Sequence, residues 1–275
     1  MPLMPETERL RNIGKIMGAG ILALALNGDL EPQSFQPPQE SGIQTGHSVT
    51  LLEIMDPLSI ATREIETKYG IEIVSQEQAY KDLKIPLKEA PATWQFDQIM
   101  LLGDLVSQLP KTLIEPYNGK SLRIFVANFG AECGCGGIDY RDSGYIGMAS
   151  DTFNQNYKDV LLEVLAHENT HRFYFSGNQN AIDAEITGLM GDLNILRMKV
   201  NFGEKNASPQ NDLAVDALAS LLNEGGRRIF PEGVARISEI YVKGPRVFQE
   251  SLGPYLNSDL LYTYWKDTFF DQLEY

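Results

Sequence analysis

Val160-Leu-Leu-Glu-Val-Leu-Ala-His-Glu-Asn-Thr-His171-Arg-Phe-Tyr-Phe175 is the stretch from which the rest of the chain can be read. Val160, Leu161, Val164, Leu165 and Phe173 recur at helical spacing with no Pro or Gly among them, so one helix is expected. Asn156 stands at its N-cap position and Asp159 in its first turn. Inside it lies His167-Glu168-Asn169-Thr170-His171. Residues four apart on a helix stand one above the other, so both imidazoles can reach a single ion. Glu168, one position round from His167, can meet a water on that ion and act as general base. With three His in 275 residues, the pattern arises by chance on the order of once in a few hundred such chains. The bland alternative is a helix carrying two surface histidines, and the apolar surroundings argue against it.

The composition narrows the classes further. A chain with 43% hydrophobic residues can bury a sizeable core. A formal charge of −14 excludes an ordinary nucleic-acid binder, which needs a basic surface to displace counterions. The acidic surface slightly favours neutral or basic substrates. No segment is long enough to span a bilayer by the usual requirement of about 20 apolar residues. Two cysteines, Cys133 and Cys135, are too few for a disulfide scaffold. They lie in a Gly-rich loop, Asn128 to Gly137, with no second Cys pair to complete a thiolate metal site. The sequence sets no oligomeric state.

At the N-terminus, Arg9, Arg11 and Lys15 precede the apolar run Ile16 to Leu26, which ends in Ala23-Leu24-Ala25. This resembles a secretory signal peptide over residues 1–27, so export is the expectation. An N-terminal apolar helix on a cytoplasmic protein is the alternative. Residues 28–46 are Pro/Gln-rich and read as a linker. Residues 47–200 are expected to form the core and 201–275 a helical C-terminal subdomain. Within the core, strands are expected at Val49–Ile54, Ile71–Val74, Ser121–Ala127 and Ser143–Ala149. Helices are expected at Pro57–Tyr69, closed by Gly70, and at Thr93–Leu109. The strand before the motif helix has an edge that could pair with an extended peptide, unless it is internal. A helix from Gln179 to Val200 follows the turn Ser176-Gly-Asn178. Further helices cover Asp212–Asn223, Glu232–Val242, a short piece through Phe248, and Ser258–Glu274.

Catalytic zinc usually takes three protein ligands and leaves one position open. The one other His, His47, lies far upstream, and no third His follows His171 within six residues. A carboxylate on the next helix is therefore expected, with Glu185 first and Asp183 second. Gly188 would let the two helices approach closely. Asp183 and Asp192 are also candidates to accept from a ligand imidazole.

An H-E-x-x-H helix followed by a Glu on the next helix resembles the gluzincin clan of zinc metallopeptidases. The order of elements is most like the compact members, the anthrax-lethal-factor-like catalytic domains and the minigluzincins. Asp183-Ala184-Glu185 stands where that pattern has an acidic-Ala-Glu segment with the metal-binding Glu last. The resemblance covers roughly Gln95 to Val200, and its specific part is H-E-x-x-H. It implies an α+β, zincin-like fold, with a small mixed sheet packed on the motif helix and a mostly helical C-terminal lobe. It implies Zn2+ held by His167, His171 and Glu185, Glu168 as general base, and a peptide or protein substrate. Tyr140, Tyr145 and Tyr174 are candidates to steady the oxyanion. The alternatives are another zinc hydrolase, a peptidase-like protein without proteolytic activity, or a non-catalytic protein with a coincidental motif. Self-inhibition by the 30–45 arm or the C-terminal helices is a further expectation to test.

Overall fold

The computed structural model describes residues 56–87, 89–128, 137–140, 143–206, 212–222 and 230–275. The signal-like segment 1–27, the linker 28–46, His47, the strand expected at 49–54 and the Cys133/Cys135 pair lie outside the described residues. Residues Asp56–Tyr275 form one compact α+β unit that is mostly helical around a small mixed sheet. No described helix is long and apolar enough to cross a membrane.

Local chemistry sets the first elements. Asp56 accepts from the backbone N–H of Leu58, Pro57 occupies the first turn, and α1 (Pro57–Tyr69) ends at Gly70 in the left-handed conformation. The short strand β1 (Glu72–Ile73) leads to α2 (Gln76–Leu83), which Ser75 caps. Next come α3 (Phe96–Val106) and the single turn α4 (Lys111–Ile114). The sheet is completed by β2 (Arg123–Ala127), β3 (Gly137–Tyr140) and β4 (Tyr145–Ala149).

The strand order is β1-β2-β4-β3. The first three strands run parallel, and β3 is the antiparallel edge. Strand 143–149, expected to offer an edge, is therefore internal, and β3 is the edge beside it. Both faces of the sheet are covered, which suits parallel strands of continuous apolar character. On one face Ile124, Val126, Ile146 and Met148 join the main core. On the other, Phe125, Ala127 and Tyr145 pack on Ala79 of α2.

The motif helix is α5 (Lys158–Phe173), and it is buried on nearly every side. It begins after a 3-10 turn, Gln155–Tyr157, that Asn154 rather than Asn156 caps. A π-type turn, Tyr174–Asn178, joins it to α6 (Gln179–Met190). The long helix expected to Val200 is broken at Gly191, φ 68°. There the Asp192 carboxylate accepts from the N–H groups of Asn194 and Ile195 and starts α7 (Leu193–Asn206). Asp192 is thus a helix cap, not a partner of an imidazole. A hairpin of α8 (Asp212–Leu222) and α9 (Phe230–Tyr241) follows, then α10 (Pro245–Leu252) and α11 (Ser258–Thr268).

The helices after residue 200 are welded to the core. Helix α9 lies along α5, and the two share a buried polar contact. Thr170 Oγ1 and Ser238 Oγ are hydrogen-bonded at 2.9 Å, and the Trp265 indole N–H donates to Ser238 Oγ at 3.0 Å. Lys243 pairs with Glu163 at 2.9 Å across the same seam. The C-terminus returns to the α3–α4 connection, where the Tyr275 hydroxyl donates to Gln108 O at 2.6 Å and Thr112 N–H to Asp271 at 2.8 Å. On the opposite flank Arg172, 7% exposed, donates to the carbonyls of Leu113, Glu115 and Lys120 and lies over the Tyr117 ring. Burial lowers its pKa to about 10, which leaves it charged at neutral pH.

Replacing Ser238 by Ala leaves the buried indole N–H of Trp265 without its acceptor. A loss of about 1–3 kcal/mol is expected in chemical denaturation, with a change in tryptophan fluorescence at the same midpoint.

Candidate metal centre

The site is built from two helices and one strand. His167 and His171, one turn apart on α5, turn their Nε2 atoms toward each other at 3.0 Å. A carboxylate faces both: Glu232 Oε2 lies 3.3 Å from His171 Nε2 and 3.6 Å from His167 Nε2. These three side chains form a group that can hold a metal ion. The third member, Glu232, comes from the first turn of α9. Glu185, expected there, is exposed on α6 and does not join the group. Asp183 accepts from the Tyr174 hydroxyl at 2.5 Å, which anchors the π-type turn. Among the described residues nothing lies within 4 Å of a Cβ placed at Gly188, so no described helix uses the close approach it would permit.

Donor spacing tests the fit. An ion bound tetrahedrally at ~2.0–2.1 Å holds its donors about 3.3–3.4 Å apart, from the geometry of the tetrahedron. The separations 3.0, 3.3 and 3.6 Å bracket that value. The donor set, two imidazoles and one carboxylate, is one that zinc and other divalent first-row metals accept.

The surroundings hold the ligands in place. His167 Nδ1 is hydrogen-bonded to the Glu239 carboxylate, two turns beyond Glu232 on the same face of α9. Such a carboxylate fixes the tautomer, leaving Nε2 free to ligate. His171 stacks on Phe175, ring centroids 6.4 Å apart, and its Nδ1 is buried with no partner among the described residues.

Two glycines let the walls close in. A Cβ at Gly233, next to Glu232, would stand 2.7 Å from Leu221 Cγ and 2.8 Å from Ala217 O, so only glycine lets α8 press this close to α9. A Cβ at Gly137 would stand 2.6 Å from Val164 Cγ1 and 3.3 Å from Glu168 Cγ, so β3 lies directly on α5.

That strand positions Glu168. Its carboxylate, on an 8% exposed residue, accepts from the Asp139 N–H at 2.7 Å. Burial raises its pKa, with Glu232 and Glu239 adding to the effect against His167 and the Asp139 hydrogen bond. Burial works to lower the pKa of His167, but its carboxylate neighbours Glu232, Glu239 and Glu168 outweigh that and raise it to about 10. Hydrogen bonds with His167 and His171 hold Glu232 far below the usual carboxylate range. Three carboxylates around two imidazoles make a site that attracts positive charge.

The tyrosines expected to serve an oxyanion face elsewhere. Tyr145 donates to Asp82 at 2.5 Å and Tyr174 to Asp183, while Tyr140 packs on Phe125 at the far face of the sheet. Glu232 and Glu239 carried no local signal, because helix α9 reads as a plain amphipathic helix. The one signal that could have found them is their spacing, two turns apart on one face. No protein-family model, curated protein or solved structure matches the chain.

Competition against a chromophoric chelator, with zinc as probe, checks this assignment. Glu232→Ala is expected to weaken binding by roughly 100-fold or more and Glu239→Gln by about 10–100-fold, while Glu185→Ala leaves it within about twofold of wild type.

Proposed function

We propose that this protein is a zinc-dependent metallopeptidase whose centre is His167, His171 and Glu232. The observation that carries the reading is the third member of the group, a carboxylate. The two motif imidazoles meet an acid from a separate helix at ligand spacing, with the motif glutamate buried beside them. The layout, an antiparallel edge strand lying against an H-E-x-x-H helix, supports a zincin-like fold and the resemblance to compact gluzincins. The ligand glutamate then stands on α9 rather than in Asp183-Ala184-Glu185.

Zinc bound there supplies a Lewis acid that acidifies a water and polarises a scissile carbonyl. The residues of the chain divide the remaining work. Glu168 accepts the proton of the attacking water and returns it to the leaving amine. Its raised pKa suits both roles, since it holds a proton more readily than an exposed carboxylate does. The backbone N–H of Asp139 orients the carboxylate. Glu239 keeps the His167 ring in the ligating tautomer. The near-complete burial of His167, His171 and Glu168 keeps bulk water from competing for these groups.

Glu168→Gln in the full chain is expected to bind zinc as wild type does and to lose peptide hydrolysis by about 100- to 10,000-fold. A quenched-fluorescence peptide library, run beside elemental analysis, measures both. Wild-type activity in that variant overturns the role of Glu168 as general base, and the absence of hydrolysis by the zinc-loaded wild type overturns the peptidase reading.

A further inference from the structure

The two oxygens of Glu232 have different partners. Oε2 is turned to the imidazoles, 3.3 Å from His171 Nε2 and 3.6 Å from His167 Nε2. Oε1 accepts from Arg236 Nε at 3.0 Å, one turn further along α9. The same guanidinium reaches across to α8, where its Nη1 lies 3.6 Å from Asp216 Oδ2. A line of charged groups thus runs from the imidazoles on α5, through Glu232 and Arg236 on α9, to Asp216 on α8.

Helix geometry and close packing set this line. Glu232 and Arg236 stand four apart on one face of α9, with the acid nearer the N-terminus, which is the favourable order. Asp216 precedes Ala217, whose carbonyl oxygen would lie 2.8 Å from a Cβ at Gly233. The glycine beside Glu232 therefore lets α8 come near enough for Asp216 to meet Arg236. The side chains of Arg236, Glu232 and Asp216 are 32%, 37% and 60% exposed, and ion pairs so open to water contribute little to stability. What sets Arg236 apart is that its partner is the candidate ligand. A carboxylate can ligate through one oxygen or through both, and a hydrogen bond on Oε1 leaves Oε2 as the oxygen free to ligate.

Resting on the metal centre of the metallopeptidase reading, we propose that Arg236 is a positioning residue that restricts Glu232 to ligation through Oε2. With that oxygen and the two imidazoles as the donors of the protein, the fourth tetrahedral position is left to water. Without the guanidinium, Oε1 is released as a second donor, and a carboxylate that holds the ion by both oxygens takes up room that the water needs. Arg236 acts only through Glu232, and hydrogen bonds between charged partners are strong enough to fix a carboxylate in this way.

The test loads cobalt(II) in place of zinc into the full chain, because its visible absorption is strong in a four-coordinate site and weakens as the coordination number rises. The wild type is expected to give the four-coordinate spectrum. Arg236→Leu is expected to lose about half or more of that absorption at unchanged cobalt stoichiometry. Arg236→Ala, run beside it so that the packing of one replacement does not decide the result, is expected to do the same. Arg236→Lys keeps a cationic donor one turn from Glu232 and is expected to retain the wild-type spectrum. Equal spectra in the wild type, Arg236→Leu and Arg236→Ala overturn the proposal and leave the metal centre standing. Absorption in Arg236→Lys as weak as in Arg236→Leu also overturns it, since the effect then does not come from a donor to Oε1. Failure of the wild type to take up cobalt or zinc overturns the centre, and the role of Arg236 falls with it.

Discussion

The seam between α5 and α9 is the constraint on which the rest depends. A metal ligand must be placed to within a few tenths of an ångström, and the two helices that carry the candidate ligands are far apart in sequence. Their register is held by Thr170 and Ser238 at the buried centre of the seam, with Trp265 closing the third side. Lys243 and Glu163 pair at its edge. Gly233 lets α8 press against the back of α9 beside Glu232. A slip of one residue along α9 would turn both Glu232 and Glu239 by about 100° away from the imidazoles.

The same seam gathers unfavourable charge. Glu168, Glu232 and Glu239 converge on His167 and His171 in surroundings that are mostly protein. Without a cation, hydrogen bonds between imidazole and carboxylate compensate for part of that cost. A divalent ion would compensate for more, because it meets the carboxylate and both imidazoles at once. Functional sites commonly carry such local conflict, and the surrounding fold holds it in place. Beyond His171 in the helix, Arg172 is a buried cation that donates to backbone carbonyls and interacts electrostatically with Asp139. The protein as a whole is acidic, but fields from distant surface charges are screened beyond roughly 8–10 Å at physiological salt. Close to the two imidazoles, the neighbouring charges count for more than the total charge.

Local signals in the chain were readable where short-range physics decides. Asp56, Pro57 and Gly70 bound α1 as expected. The apolar run Leu122 to Ala127 gave a buried strand, and the motif spacing placed two imidazoles on one side of one helix. The break at Gly191 was misjudged, because apolar periodicity continues through it while Asp192 starts a new helix. Strand β3 was hidden in a Gly-rich stretch, since its place in the sheet depends on pairing with β4 rather than on propensity.

The third candidate ligand shows where the sequence alone stops. Glu185 was the economical choice, since a short turn normally brings the following helix back beside its predecessor. Here the π-type turn at Tyr174–Asn178 sends α6 elsewhere, and α9 takes the position along α5. From the sequence came the two imidazoles on one face of one helix, the glutamate between them and the α+β class, all consequences of helical and strand periodicity. Tertiary structure alone decided that Glu232 and Glu239 are the partners of those imidazoles. Which distant helix packs on α5 depends on burying the faces of many elements at once, and no local stretch encodes that sum.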